Sequence, residues 1–389
     1  MGTWHYVFRR TDYMNRFQTI LLSLIRVAFG SSPLDVLPRE DDWDNVYSLA
    51  LNQDVAAIAF DGIQTCYSLY PEFVKTIDSL KNKELKYNWF GSCLSAEVTY
   101  SSHKETIKKL ARFYRDYGIR MMILKGFVNA SLFPIPEHRV MGDIDIYLFG
   151  SGLLADSIIT REYGIQVKQN EDKHSTYRFN GILIENHAGF INDIVHPSHK
   201  RLESFLERES KNAVPLIIQE DDRESVIVYS PSVLMNALFL PIHCATHFVR
   251  GESSIRQLCD WACFVKEYGS SINWNIVNEI VNEAGFSSFF HCLNGIVIRY
   301  LGVSSNLLPA IDVITELEER VINDILSRDI SRKLSIFYKI QRFFNSRWKY
   351  SLVYKEPMLC TFPRQALSYI RHNNKNAVSL WEKRHMHFE

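Results

Sequence analysis

Met121–Leu148, MMILKGFVNASLFPIPEHRVMGDIDIYL, is the stretch on which the fold turns. Met121–Leu124 is an apolar run that predicts a buried strand. A Lys125-Gly126 turn, a short helix and a loop with two prolines follow. Arg139 and Gly142 then lead into a second predicted strand, Asp143–Leu148. On that strand Asp143 and Asp145 leave one face, while Ile144 and Ile146 leave the other. Neighbouring carboxylates repel one another unless a cation lies between them. The pair suits Mg²⁺, which takes one or two carboxylates together with substrate phosphates. Taken alone, such a pair is also what an exposed edge strand carries. Lys125 and Gly126 add a cation and a flexible backbone at a helix start, where phosphate binds readily.

Leu124-Lys125-Gly126, then Arg139, then Gly142-Asp-Ile-Asp-Ile-Tyr-Leu148 resembles the signature of the polymerase-β-like nucleotidyltransferase superfamily. It is most similar to an uncharacterised bacterial branch with the pattern LKG…R…GDIDLLV. The Gly-Gly or Gly-Ser pair usual in the superfamily is replaced here by Gly126-Phe127. The resemblance spans about residues 15–300, and only Leu124–Tyr147 is specific by itself. It implies a third carboxylate on the strand that follows the Asp-x-Asp strand, and Glu185 occupies that place. From the residues alone, Glu185 is equally a carboxylate on the solvated face of a hairpin. Asp193 is its rival, beyond the predicted end of the strand. His187 matches the family's E/D-x-H segment. The resemblance also places His243, His247 and Asp260 in a helical region that closes the substrate cleft.

Composition bounds the class without deciding the chemistry. The 389 residues are 46% apolar and 23% charged, a globular balance. Lys plus Arg and Asp plus Glu are each 44, so the net charge of zero gives no strong signal for nucleic acid. Seven scattered cysteines with no CxxC pairing read as reduced thiols. The most apolar long window, Val233–Val249, is shorter than a membrane span and contains Pro241, His243 and His247. The expected location is the cytoplasm.

Helical periodicity dominates residues 1–117, including a helix over Ala96–Tyr117 ended by Gly118. Leu153–Tyr163 predicts a helix and Ile165–Lys168 a strand. Tyr177–Phe179, Asn180-Gly181 and Ile182–Glu185 form a clear hairpin, since Asn-Gly suits a two-residue turn. Residues 188–230 read as an insertion with a helix at His199–Ser210 and a strand at Val226–Tyr229. From 231 onward the chain is helical again. His243 and His247, four apart on one helix, could face a zinc ion, but Cys244 stands where a zinc protease carries its glutamate. Arg256 and Asp260, also four apart, read as a modest surface ion pair.

The expected fold is α+β: a small mixed-sheet nucleotidyltransferase core at 118–230, between a helical N-terminal region (1–117) and a helical C-terminal region (231–389). The expected function is transfer of a nucleotidyl group from an NTP, with ATP the expected donor, to an unknown hydroxyl-bearing acceptor. Asp143, Asp145 and Glu185 would hold Mg²⁺, with Mn²⁺ as a substitute. Lys125, Gly126, Arg139 and Gly142 would receive the nucleotide. The alternatives are a non-catalytic nucleotide-binding protein of the same fold and a metal-dependent phosphatase. No membrane partner is expected.

Overall fold

The computed structural model describes residues 14–31, 34–70, 72–73, 83–170, 174–191, 197–219, 225–310, 315–327 and 347–355. Four helices come first: α1 (Arg16–Ala28), α2 (Trp43–Asn52), α3 (Ala56–Leu69) and α4 (Lys83–Asp116). Strand β1 (Met122–Ile123), the single-turn α5 (Phe127–Ala130), β2 (Ile144–Tyr147) and α6 (Gly152–Tyr163) follow. Next come β3 (Lys168–Asn170), β4 (His174–Phe179), β5 (Ile182–His187), α7 (Pro197–Glu209), β6 (Val214–Ile218) and β7 (Val226–Ser230). The chain continues through α8 (Val233–Arg250), α9 (Ile255–Tyr268), α10 (Trp274–Glu283), α11 (Ser287–Leu301), α12 (Thr315–Leu326) and α13 (Arg347–Tyr354).

The strands form one mixed sheet in the order β3-β4-β5-β2-β1-β7-β6. β2 lies in its middle, antiparallel to β1 and parallel to β5. The β4–β5 turn has Asn180 at φ 51° and Gly181 at φ 81°. Positive φ at both central residues is what a type I′ turn needs, and Asn-Gly supplies it.

Alternation along the strands sorts side chains onto two faces. Ile123, Ile144, Ile146 and Ile184 pack on one face, with Ile107, Leu110 and Tyr114 of α4 and Ile158 and Ile159 of α6. Met122 and Leu124 point the other way, into a core built jointly by α1–α3 and α8–α13. The two helical regions therefore share one interior, although the chain separates them by the whole sheet. Asp145 has the parity of Tyr147, which also packs on that helical side. The helical bundle thus stands over the carboxylates.

Three elements differ from expectation, and β3 is one of them, lying at Lys168–Asn170 where Ile165–Lys168 was expected. α4 begins at Lys83 rather than near Ala96. Leu85, Trp89, Cys93 and Ala96 are buried at helical spacing, but Tyr87, Phe90, Leu94 and Val98 are exposed, and apolar residues on both sides blur the stripe that periodicity detects. β6 was not anticipated; it is an edge strand whose Val214 and Ile217 face outward. Asp193 lies outside the described residues, as does most of the chain beyond 327. Among the described residues, no helix is long and apolar enough to cross a membrane.

Candidate active site

Parallel pairing sets Asp145 directly opposite Glu185 and Tyr147 opposite His187. Glu185 and His187 are two apart, so both side chains leave β5 on the face that carries Asp145. His187 Nε2 lies 2.8 Å from Asp145 Oδ1 and 3.6 Å from Glu185 Oε2. One ligand atom from each of Asp145, Glu185 and His187 falls within 4.8 Å of the others. Asp143 stands just ahead of β2, half-buried, and lines a cavity with Asp145. Its charge still reaches Glu185. The tight trio is thus two carboxylates and an imidazole, with the third carboxylate at its edge.

Electrostatics separate the two strand carboxylates. Burial alone would raise the pKa of Asp145, but Lys125 and His187 outweigh it and hold the carboxyl well below the usual range. Glu185 moves the opposite way, because burial and then the negative charges of Asp143 and Asp145 raise its pKa. Of the pair, Glu185 is the readier to accept a proton.

Lys125 Nζ lies 3.1 Å from Asp145 Oδ1 and donates to His243 Nε2 at 2.7 Å. That nitrogen must therefore be unprotonated. Burial, followed by the nearby positive charges of Lys125 and His247, pushes the His243 pKa well below its ordinary value. His247 Nε2 follows at 3.2 Å from His243 Nε2. The two histidines extend the lysine's hydrogen-bond chain, and among the described residues they belong to no group of three metal-ligating side chains. Gly126 enters α5 at φ 63°, ψ −100°, backbone that a side chain would strain. α5 has only four residues, so the expected helix N-terminus offers little macrodipole; what remains is the turn.

Arg139 is buried, with Nε and Nη2 donating to Asp260 Oδ1 and Oδ2 at 2.8 and 2.7 Å. Its Nη1 donates to the Val140 carbonyl at 3.1 Å. Burial would lower its pKa, yet Asp260 more than compensates. The expected surface pair along α9 is therefore corrected: Asp260 turns inward to Arg139, and Arg256 pairs with Asp54 at 3.8 Å. Arg139, expected among the phosphates, directs most of its donors at a protein carboxylate.

Residues 39–302 match the family described as uncharacterised nucleotidyltransferase. The chain belongs to this family. No curated protein matches it. A solved structure of an antigenic nucleotidyltransferase-like protein from Paracoccidioides brasiliensis is similar at 14% identity and a TM-score of 0.29, over 48% of this chain and 91% of that one.

The chain has a cavity of about 180 Å³ over this site. Lys125, Gly126, Arg139, Gly142, Asp143, Asp145, His243, His247 and Asp260 all line it. Glu185 and His187 adjoin Asp145 from β5. Leu240, Arg256 and Gln257 complete the lining and were not singled out as site residues in the sequence. Gln257 precedes Asp260 by three positions on α9, so the helical spacing that drew attention to Asp260 could have included it. Arg256 was noticed only as that residue's partner.

Proposed function

We propose that this nucleotidyltransferase moves an NMP group from an NTP, with ATP the expected donor, to a hydroxyl of an acceptor and releases pyrophosphate. The observation that carries this reading is the convergence of Asp145, Glu185 and His187 beside the Lys125 ammonium. Two carboxylates and an imidazole fit a divalent cation. The oxygens suit Mg²⁺, and the imidazole also admits Mn²⁺. Asp145 and Glu185 would hold the ion, with Asp143 at the edge and His187 orienting Asp145 or joining the ligands. When bound, such an ion supplies positive charge to the phosphates and polarises the reacting phosphorus.

The chain's own groups complete the chemistry. Lys125 neutralises phosphate charge at the mouth of the Gly126 turn. Arg139, locked to Asp260, fixes the segment that carries Asp143. Glu185 accepts the proton of the attacking hydroxyl, a role its raised pKa suits.

Incubation of the full chain with each α-labelled NTP, with Mg²⁺ and with Mn²⁺, tests the proposal. The readouts are pyrophosphate and label on the protein, on small molecules or on RNA. Metal-dependent pyrophosphate release that Asp145→Asn abolishes is expected. Orthophosphate release instead would point to a phosphatase, and NTP binding without turnover to a binding protein.

A further inference from the structure

A second cavity, about 440 Å³, opens between α2, the start of α3 and the first half of α4. Its wall is shared with the charged cavity. Arg139, Gly142 and Asp143 line the smaller space, whereas Val140 and Met141, between them in the chain, line the larger. Asp54 lines the larger space, and its ion-pair partner Arg256 lines the smaller. The wall is braced from α4 by His103, whose ring nitrogens lie 2.8 Å from the carbonyl oxygens of Thr99 and Gly142.

The chemistry of the two spaces differs. The smaller carries Lys125, Arg139 and Arg256 among its lining residues, a set suited to phosphates. The larger is lined by no lysine or arginine, and Asp54, its one carboxylate, is already paired. What remains there is neutral: the hydroxyls of Tyr47, Ser92 and Thr99, which bond to one another or to the Asn88 and Ser95 carbonyls and keep oxygens that can accept, the Ser95 hydroxyl, the Asn88 amide and the rim ring of Tyr87. Gly91, Ala57 and Ala96 keep the space open. A phosphate tail would lose its solvation there with no cation in return. Small-molecule sites run to roughly 300–1,000 Å³, so the smaller cavity holds only a reacting end and the larger can hold a whole small molecule.

We propose that the larger cavity is the acceptor site and takes a neutral, polyhydroxylated, sugar-like molecule. Its hydroxyl groups meet the side-chain hydroxyls and the amide, and its C–H faces meet the tyrosine rings. One hydroxyl reaches the charged cavity past Val140 and Met141. This rests on the nucleotidyl-transfer reading above. The hydroxyl oxygen forms a bond to the α-phosphorus, and the bond to the β-phosphate's bridging oxygen breaks. Pyrophosphate leaves, and the hydroxyl proton goes to Glu185.

The test fills the cavity without touching the charged residues. A Cβ at Gly91 meets nothing within 4 Å, so Gly91→Leu fits within α4 and projects into the space; Ser95→Leu is the second variant. Both are checked for fold by circular dichroism. Glucose, ribose, myo-inositol, adenosine and choline are each applied to the full chain, with and without ATP–Mg²⁺, and read by saturation-transfer NMR. ATP–Mg²⁺ binding is read separately by thermal shift. Expected is transfer from at least one neutral polyol that weakens tenfold or more in a folded variant, with the ATP–Mg²⁺ shift unchanged. Three results would overturn the proposal: no polyol signal, a polyol signal indifferent to both variants, or loss confined to adenosine or choline. A missing ATP–Mg²⁺ shift in the unaltered protein would instead sink the nucleotide reading, while the polyol arm still judges the cavity.

Discussion

Asp145 and Glu185 are neighbours across two strands, yet they tend toward opposite protonation. That contrast assigns them different losses on mutation. Glu185→Gln is expected to lower turnover by about 10²–10⁴-fold, roughly 3–5 kcal/mol, because it removes the proton acceptor while keeping the shape. The same variant should keep a smaller stabilisation by NTP with Mg²⁺, because Asp145, Asp143 and His187 remain to hold the ion. Asp145→Asn should lose the Mg²⁺-dependent part of that thermal shift, since a ligand stabilises only the form that binds it. A shift unchanged in Asp145→Asn would move the nucleotide elsewhere. Asp143 and Asp145 were legible because strand period places them on one face regardless of context. The Lys125–His243 contact was not, since nothing local links residues that far apart in sequence.

At the scale of elements, long-range ion pairs bind loops to helices. The Arg139–Asp260 pair joins the loop before β2 to α9 across 121 positions. Sequence spacing suggested a partner four residues away on the same helix, because periodicity sees only neighbours. Removing one member of a buried pair strands the other charge, so Asp260→Ala should cost about 3–5 kcal/mol in urea unfolding. His138, the residue before Arg139 in the same loop, has Nδ1 at 2.7 Å from Asp61 of α3 and Nε2 at 3.2 Å from Glu97 of α4. Carboxylates at both nitrogens favour the imidazolium form of the ring. The Asp61 hydrogen bond raises the His138 pKa, and burial raises that of Asp61. For His138 the stabilising contribution is complete below the unfolded-state pKa and fades as pH climbs through the raised folded-state value, while burial of Asp61 adds a penalty once that carboxyl must ionise. For His138 that loss begins above 6.5. The melting temperature should therefore fall as pH rises above 6.5, and His138→Gln should flatten that part of the curve. An equal slope in both proteins would remove His138 as the cause.

At the scale of the molecule, the sheet separates two interiors, one of which the first and last helical regions build together. The sequence displayed a helical lead-in, a central mixed core and a helical end in chain order, and could not display that the ends meet. Met122, Leu124, Phe133 and Phe190 of the central part are buried in the shared interior. Residues 118–230 expressed alone would expose that face to water. Such a fragment is expected to lack a cooperative thermal transition, measured by circular dichroism, whereas the full chain melts as a unit. A folded, soluble fragment would show that the sheet needs only its other face. The hairpin's turn, by contrast, was legible, because Asn180-Gly181 states its own turn chemistry, although both arms run longer than expected, to His174 and His187.

The parallel alignment of β2 with β5 also sets where the gene can change length. The chain joining the two strands can gain or lose residues at exposed turns without moving either strand's side chains. A single codon inserted or deleted within Ile182–His187 is another matter. It would rotate Glu185 and His187 toward Ile146 and Ile158 on the opposite face, and charged groups would enter an apolar interior. Length variants arising inside β5 should therefore be lost as unfolded protein, while those at the exposed turn around Gly164 should survive as active ones.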